Sequence, residues 1–289
     1  MLNHEALDVH TLPLSGYNIA SFSSHGTAAL GIIMMKENCS AGPGITPHAN
    51  GFVVSQWRPD GSPNEADAVL CAIYYLSAGD VLLLETQSFE AGTGNRLWPV
   101  EIQDAVYATI LLATALGIIV VEAAGNGNID CTAGNNLDLY SVQNKKILNP
   151  ADIHYRDSGA ILVGAATSTV PHCRIAGSNF GKRVNCYAWG EAVTTAGNFP
   201  GIAAKSTTDY TSQFNGTSAA SAIIAGAAIA IQCILKEAGR PLLKPAEMRK
   251  MLGDASFGTA SANGTGKDKI GAMPDLKKII DHLLSQQVT

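Results

Sequence analysis

Three short segments join a reactive side chain to small neighbours: Ser24-His25-Gly26-Thr27, Ala123-Ala124-Gly125-Asn126-Gly127, and Asn215-Gly216-Thr217-Ser218-Ala219-Ala220-Ser221. A hydroxyl at a helix start sits where backbone N–H groups and the helix dipole stabilise negative charge. An asparagine amide at a strand end can donate to an oxyanion. A histidine can accept the proton of a serine, and small residues let a substrate backbone approach closely. Taken singly, each segment reads as ordinary structure: His-Gly and Gly-Asn-Gly suit turns, and Ser218 suits an N-cap. Together they could supply a nucleophilic serine, a base and an oxyanion donor.

These groups need a scaffold, and the pattern of apolar runs supplies one. Gly51–Ser55, Val81–Glu85, Ile118–Ala123, Ala160–Gly164 and Val184–Tyr187 are short unbroken apolar runs, as strands covered on both faces are. Between them, Asn64–Leu76 and Glu101–Leu116 carry apolar residues at three- and four-residue intervals, each followed by a glycine fit for a helix end. Thr217–Lys236 is apolar all round and reads as a core helix. Pro245–Leu252 and Pro274–Leu284 open with proline, as first helical turns tolerate. Strand–helix alternation predicts a mostly parallel sheet flanked by helices. No repeat, low-complexity tract or charged linker divides residues 1–289, so a single domain is expected.

Composition narrows the function. At 15% charged and 46% hydrophobic residues, the 289-residue chain suits a compact body with a large core. A net charge of −5 without any basic run gives no reason to expect nucleic acid, and no P-loop or dinucleotide fingerprint is present. The longest apolar stretch, Ala105 to Ala124, is broken by Thr109, Thr114, Gly117 and Glu122, so no membrane span is expected. The opening MLNHEALDVH is polar and shows no export signal, which leaves the compartment open. The six cysteines include no CxxC pair, and Cys71 and Cys233 read as buried free thiols on helices.

The three chemical segments resemble the histidine, oxyanion-asparagine and serine motifs of the subtilisin-like peptidases (subtilases), in that family's chain order. Between them, Gly44-Ile45-Thr46-Pro47-His48-Ala49 looks like its "G-I-A-P-x-A" turn and Ala160–Ala165 like its "I-x-V-G-A" strand. Ser178-Asn179-Phe180-Gly181 with Val184 to Gly190 looks like "S-N-Y-G … V-D-x-x-A-P-G". The resemblance spans about residues 3 to 235. It implies a three-layer α/β subtilisin-like domain and a serine endopeptidase acting on protein or peptide substrates. Ser218 would be the nucleophile, His25 the general base and Asn126 the oxyanion donor. A peptidase-like module that only holds an extended peptide is the alternative. An α/β-hydrolase esterase is disfavoured because Gly216-Thr217-Ser218-Ala219-Ala220 is not G-x-S-x-G. No cofactor is expected. Many subtilases bind calcium, but no Asp/Asn-rich loop here singles out a site.

Two departures from the family pattern stand out. The family's aspartate ends a core strand upstream of the histidine, yet only 24 residues precede His25. Asn3-His4-Glu5-Ala6-Leu7 resembles the segment that follows that aspartate, so the aspartate is expected before Met1. Its strand would then be missing between two sheet neighbours. Asp8 is the upstream alternative, in a segment that reads as a solvated loop. The second departure is acidic: Glu85 and Glu122 end strands where ligands bind in open α/β sheets. With Gly125 they are expected on the substrate side, either as a lining for a basic residue or as structural carboxylates. Trp57, Trp98 and Trp189 read as packing residues.

Overall fold

The computed structural model describes residues 3–7, 11–15, 20–37, 39–90, 95–198, 207–262 and 270–286; Asp8 lies outside them. The chain forms β1 (Thr11–Ser15), α1 (Ala20–Met34), β2 (Gly51–Val54), α2 (Glu65–Tyr75), β3 (Val81–Leu84), β4 (Gln87–Glu90), β5 (Arg96–Pro99), α3 (Asp104–Ala115), β6 (Ile119–Ala123) and β7 (Gly127–Asn128). It continues through β8 (Ile161–Ala166), β9 (Cys186–Trp189), β10 (Val193–Ala196), β11 (Tyr210–Phe214), α4 (Gly216–Glu237), α5 (Pro245–Gly253), β12 (Gly258–Ala260), β13 (Ala272–Pro274) and α6 (Leu276–Ser285).

The main sheet has the order β12-β13-β9-β8-β6-β3. All its pairings are parallel except β12 with β13, so the three-layer α/β architecture expected from the strand–helix alternation is present. Successive side chains along a strand point to opposite faces, and the core divides accordingly. Val81 and Leu83 of β3, Ile119 and Val121 of β6, and Ile161, Val163 and Ala165 of β8 pack with α1, α4, α5 and α6. Leu82, Leu84 and Val120 pack with α2 and α3 on the other face. This parity decides the fate of the two acidic strand ends. Leu84 pairs with Glu122, so Glu122 shares the α3 face, whereas Glu85 continues the α4 face.

Helix α4 lies across β3, β6, β8 and β9 and against α1. Within α4, Gly226 lies close to the segment between α1 and β2, where a Cβ would sit 2.9 Å from Ile45 Cβ. By length and composition this 22-residue helix could cross a membrane, a candidate beyond the longest apolar stretch in the sequence. Within the protein, 72% of its most apolar window is buried.

Two elements differ from expectation. The His-Gly segment is neither a turn nor a loop but the middle of α1. The stretch read as a solvated loop contains β1, parallel to β2, preceded by the buried Ala6 and Leu7. His4 anchors this segment. Its Nε2 lies 2.7 Å from the Asp209 carbonyl, while Nδ1 accepts from the Ala6 N–H. Among the described residues β2 pairs only with β1 and β3 only with β6. The thiols are free, but Cys233 is exposed and Cys71 half-buried rather than both enclosed. Among the described residues no cluster of three His, Cys, Asp or Glu could hold a metal ion.

Candidate active site

The α4 N-terminus is built by a sharp backbone turn. Asn215 is the N-cap and Gly216 has φ +81°, a left-handed conformation that costs glycine least. A side chain there would also strike Asn126, since a Cβ would lie 2.9 Å from Asn126 Oδ1. Ser218 therefore stands in the first turn of α4, 7% exposed, among N–H groups that intrahelical bonding leaves unused. His25 reaches it from α1, with Nε2 3.0 Å from Ser218 Oγ. The imidazole packs edge-on against the fully buried Phe214, with ring centroids 5.5 Å apart. Burial disfavours the imidazolium and pushes the His25 pKa down to about 4, so its Nε2 lone pair is available near neutral pH.

Asn126 follows β6 and is fixed from two directions. Its Oδ1 accepts from the Thr217 N–H at 2.9 Å and from Thr217 Oγ1 at 3.0 Å. Its own N–H donates to Gln87 Oε1 at 3.0 Å. With Oδ1 engaged by Thr217, the Nδ2 amide remains as the donor for a ligand next to Ser218. Gly125 is buried, and its φ of +92° leaves no room for a side chain, because a Cβ would lie 2.7 Å from Asn179 Nδ2. That Asn179 amide donates to the Leu97 and Ala124 carbonyls, and the Gly125 carbonyl accepts from the Asn179 N–H. Gly125 thus holds the backbone before Asn126 against β5 and does not present open surface to a substrate.

The acidic pair separates as strand parity dictates. Glu122 is fully buried, and its Oε1 accepts from the Glu101 N–H at 3.0 Å. Burial and the nearby Glu101 carboxylate hold its pKa well above the usual carboxylate range. It is therefore a core group and lines no cleft. Glu85 instead joins the serine and histidine. Its Oε2 lies 3.8 Å from His25 Nε2, and Ser221 Oγ donates to its Oε1 at 2.7 Å. Burial pushes its pKa up to about 8, against the hydroxyls of Ser221 and Ser218, which favour the carboxylate. Of the two readings open for Glu85, a lining for a basic residue or a hydrogen-bonded carboxylate, its contacts with Ser221 and His25 fit the second.

Sequence reading gave no role to Gln87 or Ser221, although both position site residues. Ser221 had a usable signal, since three residues on from Ser218 it shares the same face of α4. Of the tryptophans, Trp98 is buried and donates to Glu90 Oε2, Trp57 stacks on Phe22, and Trp189 is exposed.

The comparisons with known proteins point one way. The sequence model described as "Subtilase family" (Peptidase_S8) matches residues 10–272. No curated protein sequence matches the chain. Among solved structures, the self-cleaved protease domain of PatA superposes with a TM-score of 0.66 at 18% identity, covering 96% of this chain and 90% of that one. The patellamide maturation protease PatA gives 0.66 at 17% identity, covering 96% of this chain and 97% of that one. A cold adapted subtilisin-like serine proteinase gives 0.62 at 18% identity, with 94% and 83% covered. At these identities the superpositions speak for the fold.

Proposed function

The chain belongs to the subtilase family of serine endopeptidases, and we propose that it hydrolyses peptide bonds through an acyl-enzyme on Ser218. The observation that carries this reading is the 3.0 Å approach of His25 Nε2 to Ser218 Oγ, the reach that proton transfer from a nucleophile requires. Ser218 Oγ attacks the scissile carbonyl carbon as its proton passes to Nε2. The carbonyl oxygen becomes an oxyanion, held by Asn126 Nδ2 and by the Ser218 N–H, since the Gly216 and Thr217 N–H groups already donate to the Gly190 carbonyl and to Asn126 Oδ1. The intermediate collapses as the imidazolium returns its proton to the leaving amine. Water then repeats the sequence on the acyl-enzyme, with His25 again as base. Residues 1–289 act as one domain in this reading, since α4 carries Ser218 and packs on the central strands.

The test is turnover of an unstructured protein such as casein. Whatever cleavage the chain performs should be abolished by Ser218→Ala. Asn126→Ala should lower kcat by about 10²- to 10³-fold, the cost of removing one oxyanion donor. A folded chain that binds casein without cleaving it would favour the non-catalytic peptide-holding reading instead.

A further inference from the structure

The site holds a carboxyl that the serine–histidine–asparagine scheme leaves unused. Glu85 Oε2 sits 3.8 Å from the same imidazole nitrogen that faces Ser218. It is buried and accepts no well-formed hydrogen bond, although the Ser218 hydroxyl is close enough to favour its ionised form, whereas Oε1 is held by Ser221. A buried carboxylate oxygen so poorly satisfied is costly, and here it is directed at the one group whose charge changes during the proposed reaction. We propose that the Glu85 carboxylate supports the imidazolium of His25 from the Nε2 side, so that its ionisation switches Ser218 on. The proposal rests on the reading of Ser218 as nucleophile.

The physics favours ionised Glu85 in two ways. A protonated carboxyl this close to Nε2 competes with the Ser218 hydroxyl for the lone pair that must take the proton. An ionised one attracts the imidazolium as it forms, and at a mostly buried site that attraction is weakly screened. The proton balance is closed. The Ser218 proton moves to Nε2, Glu85 keeps its charge throughout, and the leaving amine collects the proton from Nε2. Glu85 acts through His25 and touches no substrate atom in this scheme.

Among the described residues, the titratable group facing Glu85 is His25 on α1. From α4 come the neutral hydroxyls of Ser218 and Ser221. On the neighbouring strand β6, Glu122 lies across from Leu84 and faces the other side of the sheet. The pH dependence follows from the shifts. His25 loses its proton near pH 4 and Glu85 near pH 8, so reactivity of Ser218 should rise further as pH passes through the alkaline value.

The experiment measures the rate of covalent labelling by a fluorophosphonate probe from about pH 5 to 10 for wild type, Glu85→Gln and Ser218→Ala, each checked for folding by its melting curve. Wild type should show a rise with an apparent pKa near 8. Glu85→Gln should lose that rise and label roughly tenfold or more slowly at the alkaline plateau, a modest share of what an acid–base group contributes. Absence of the rise in wild type, or its persistence in Glu85→Gln, overturns the role of Glu85 while leaving Ser218 as nucleophile. No labelling of wild type at any pH, or equal labelling of Ser218→Ala, overturns the nucleophile assignment itself and the proposal with it. If Glu85→Gln does not fold, the wild-type profile alone still decides.

Discussion

Replacing His25 by alanine is expected to lower casein turnover by about 10³-fold or more with only a small fall in melting temperature. Without an acceptor 3.0 Å from its oxygen, the Ser218 hydroxyl must lose its proton to water, and general-base assistance is worth roughly 10²- to 10⁴-fold. The fold should tolerate the change. His25 lies inside α1, where alanine is the best helix former. Its side chain is 28% exposed and packs edge-on against Phe214, so the fall in melting temperature should be small beside the loss of rate. Turnover assays together with circular dichroism melts on the same preparation check both halves. Turnover within a few-fold of wild type in a folded His25→Ala protein would remove histidine from the reaction.

The second large effect concerns stability. Arg183 is 1% exposed and Glu101 2%. Arg183 Nη2 donates to Glu101 Oε2 at 2.8 Å and to the Ala160 carbonyl at 3.2 Å, Nη1 donates to Asn185 Oδ1, and Ser158 Oγ donates to Glu101 Oε2 at 2.5 Å. The Glu101 N–H in turn holds Glu122 on β6, the strand that leads to Asn126. Arg183→Met strands a buried carboxylate, a change that costs about 3–5 kcal/mol, or roughly 10 °C in melting temperature for a chain of this size. Adding Glu101→Leu should recover most of the loss, because a well-packed apolar pair is often as stable as the ion pair it replaces. Thermal melts of the single and double variants measure this. A single variant melting within about 2 °C of wild type, a shift worth under 1 kcal/mol, would show that the pair does not hold this part of the core.

Much of the scaffold could be read from the residues because burial on both faces leaves an unbroken apolar run. Val81–Leu84, Ile119–Ala123 and Ile161–Ala166 each lie within or beside a run read as a strand. The helix openings were equally local: Asn64 caps α2 by accepting from the Asp67 N–H. Helix α1 carries no strong local signal, because Ser, Gly and Phe dominate its first half and have modest helix propensity. It is packing against α4 and β10 that makes this segment helical. Strand β1 was hidden by Pro13 within it and by the polar residues before it, so its partner β2 decides the matter.

The site was legible as a set of three residues but not as a geometry. That Glu85 belongs with His25 and Ser221, while Glu122 belongs with Arg183 and Glu101, depends on contacts between residues far apart in sequence. Glu85 and Ser221 are 136 positions apart, and Arg183 and Glu101 are 82 apart. Strand parity and the β3–β6 register separate the two glutamates. Parity can be read from sequence, whereas the register is fixed only by the assembled sheet.

The central claim is that Ser218 is the nucleophile, and the most direct measurement is the site of covalent capture. Incubation with a fluorophosphonate, proteolytic digestion and mass mapping should find a single adduct. It should lie on the peptide containing Ser218, vanish in Ser218→Ala and form far more slowly in His25→Ala. An adduct on another serine, or none in a folded chain that cleaves casein, would contradict the account.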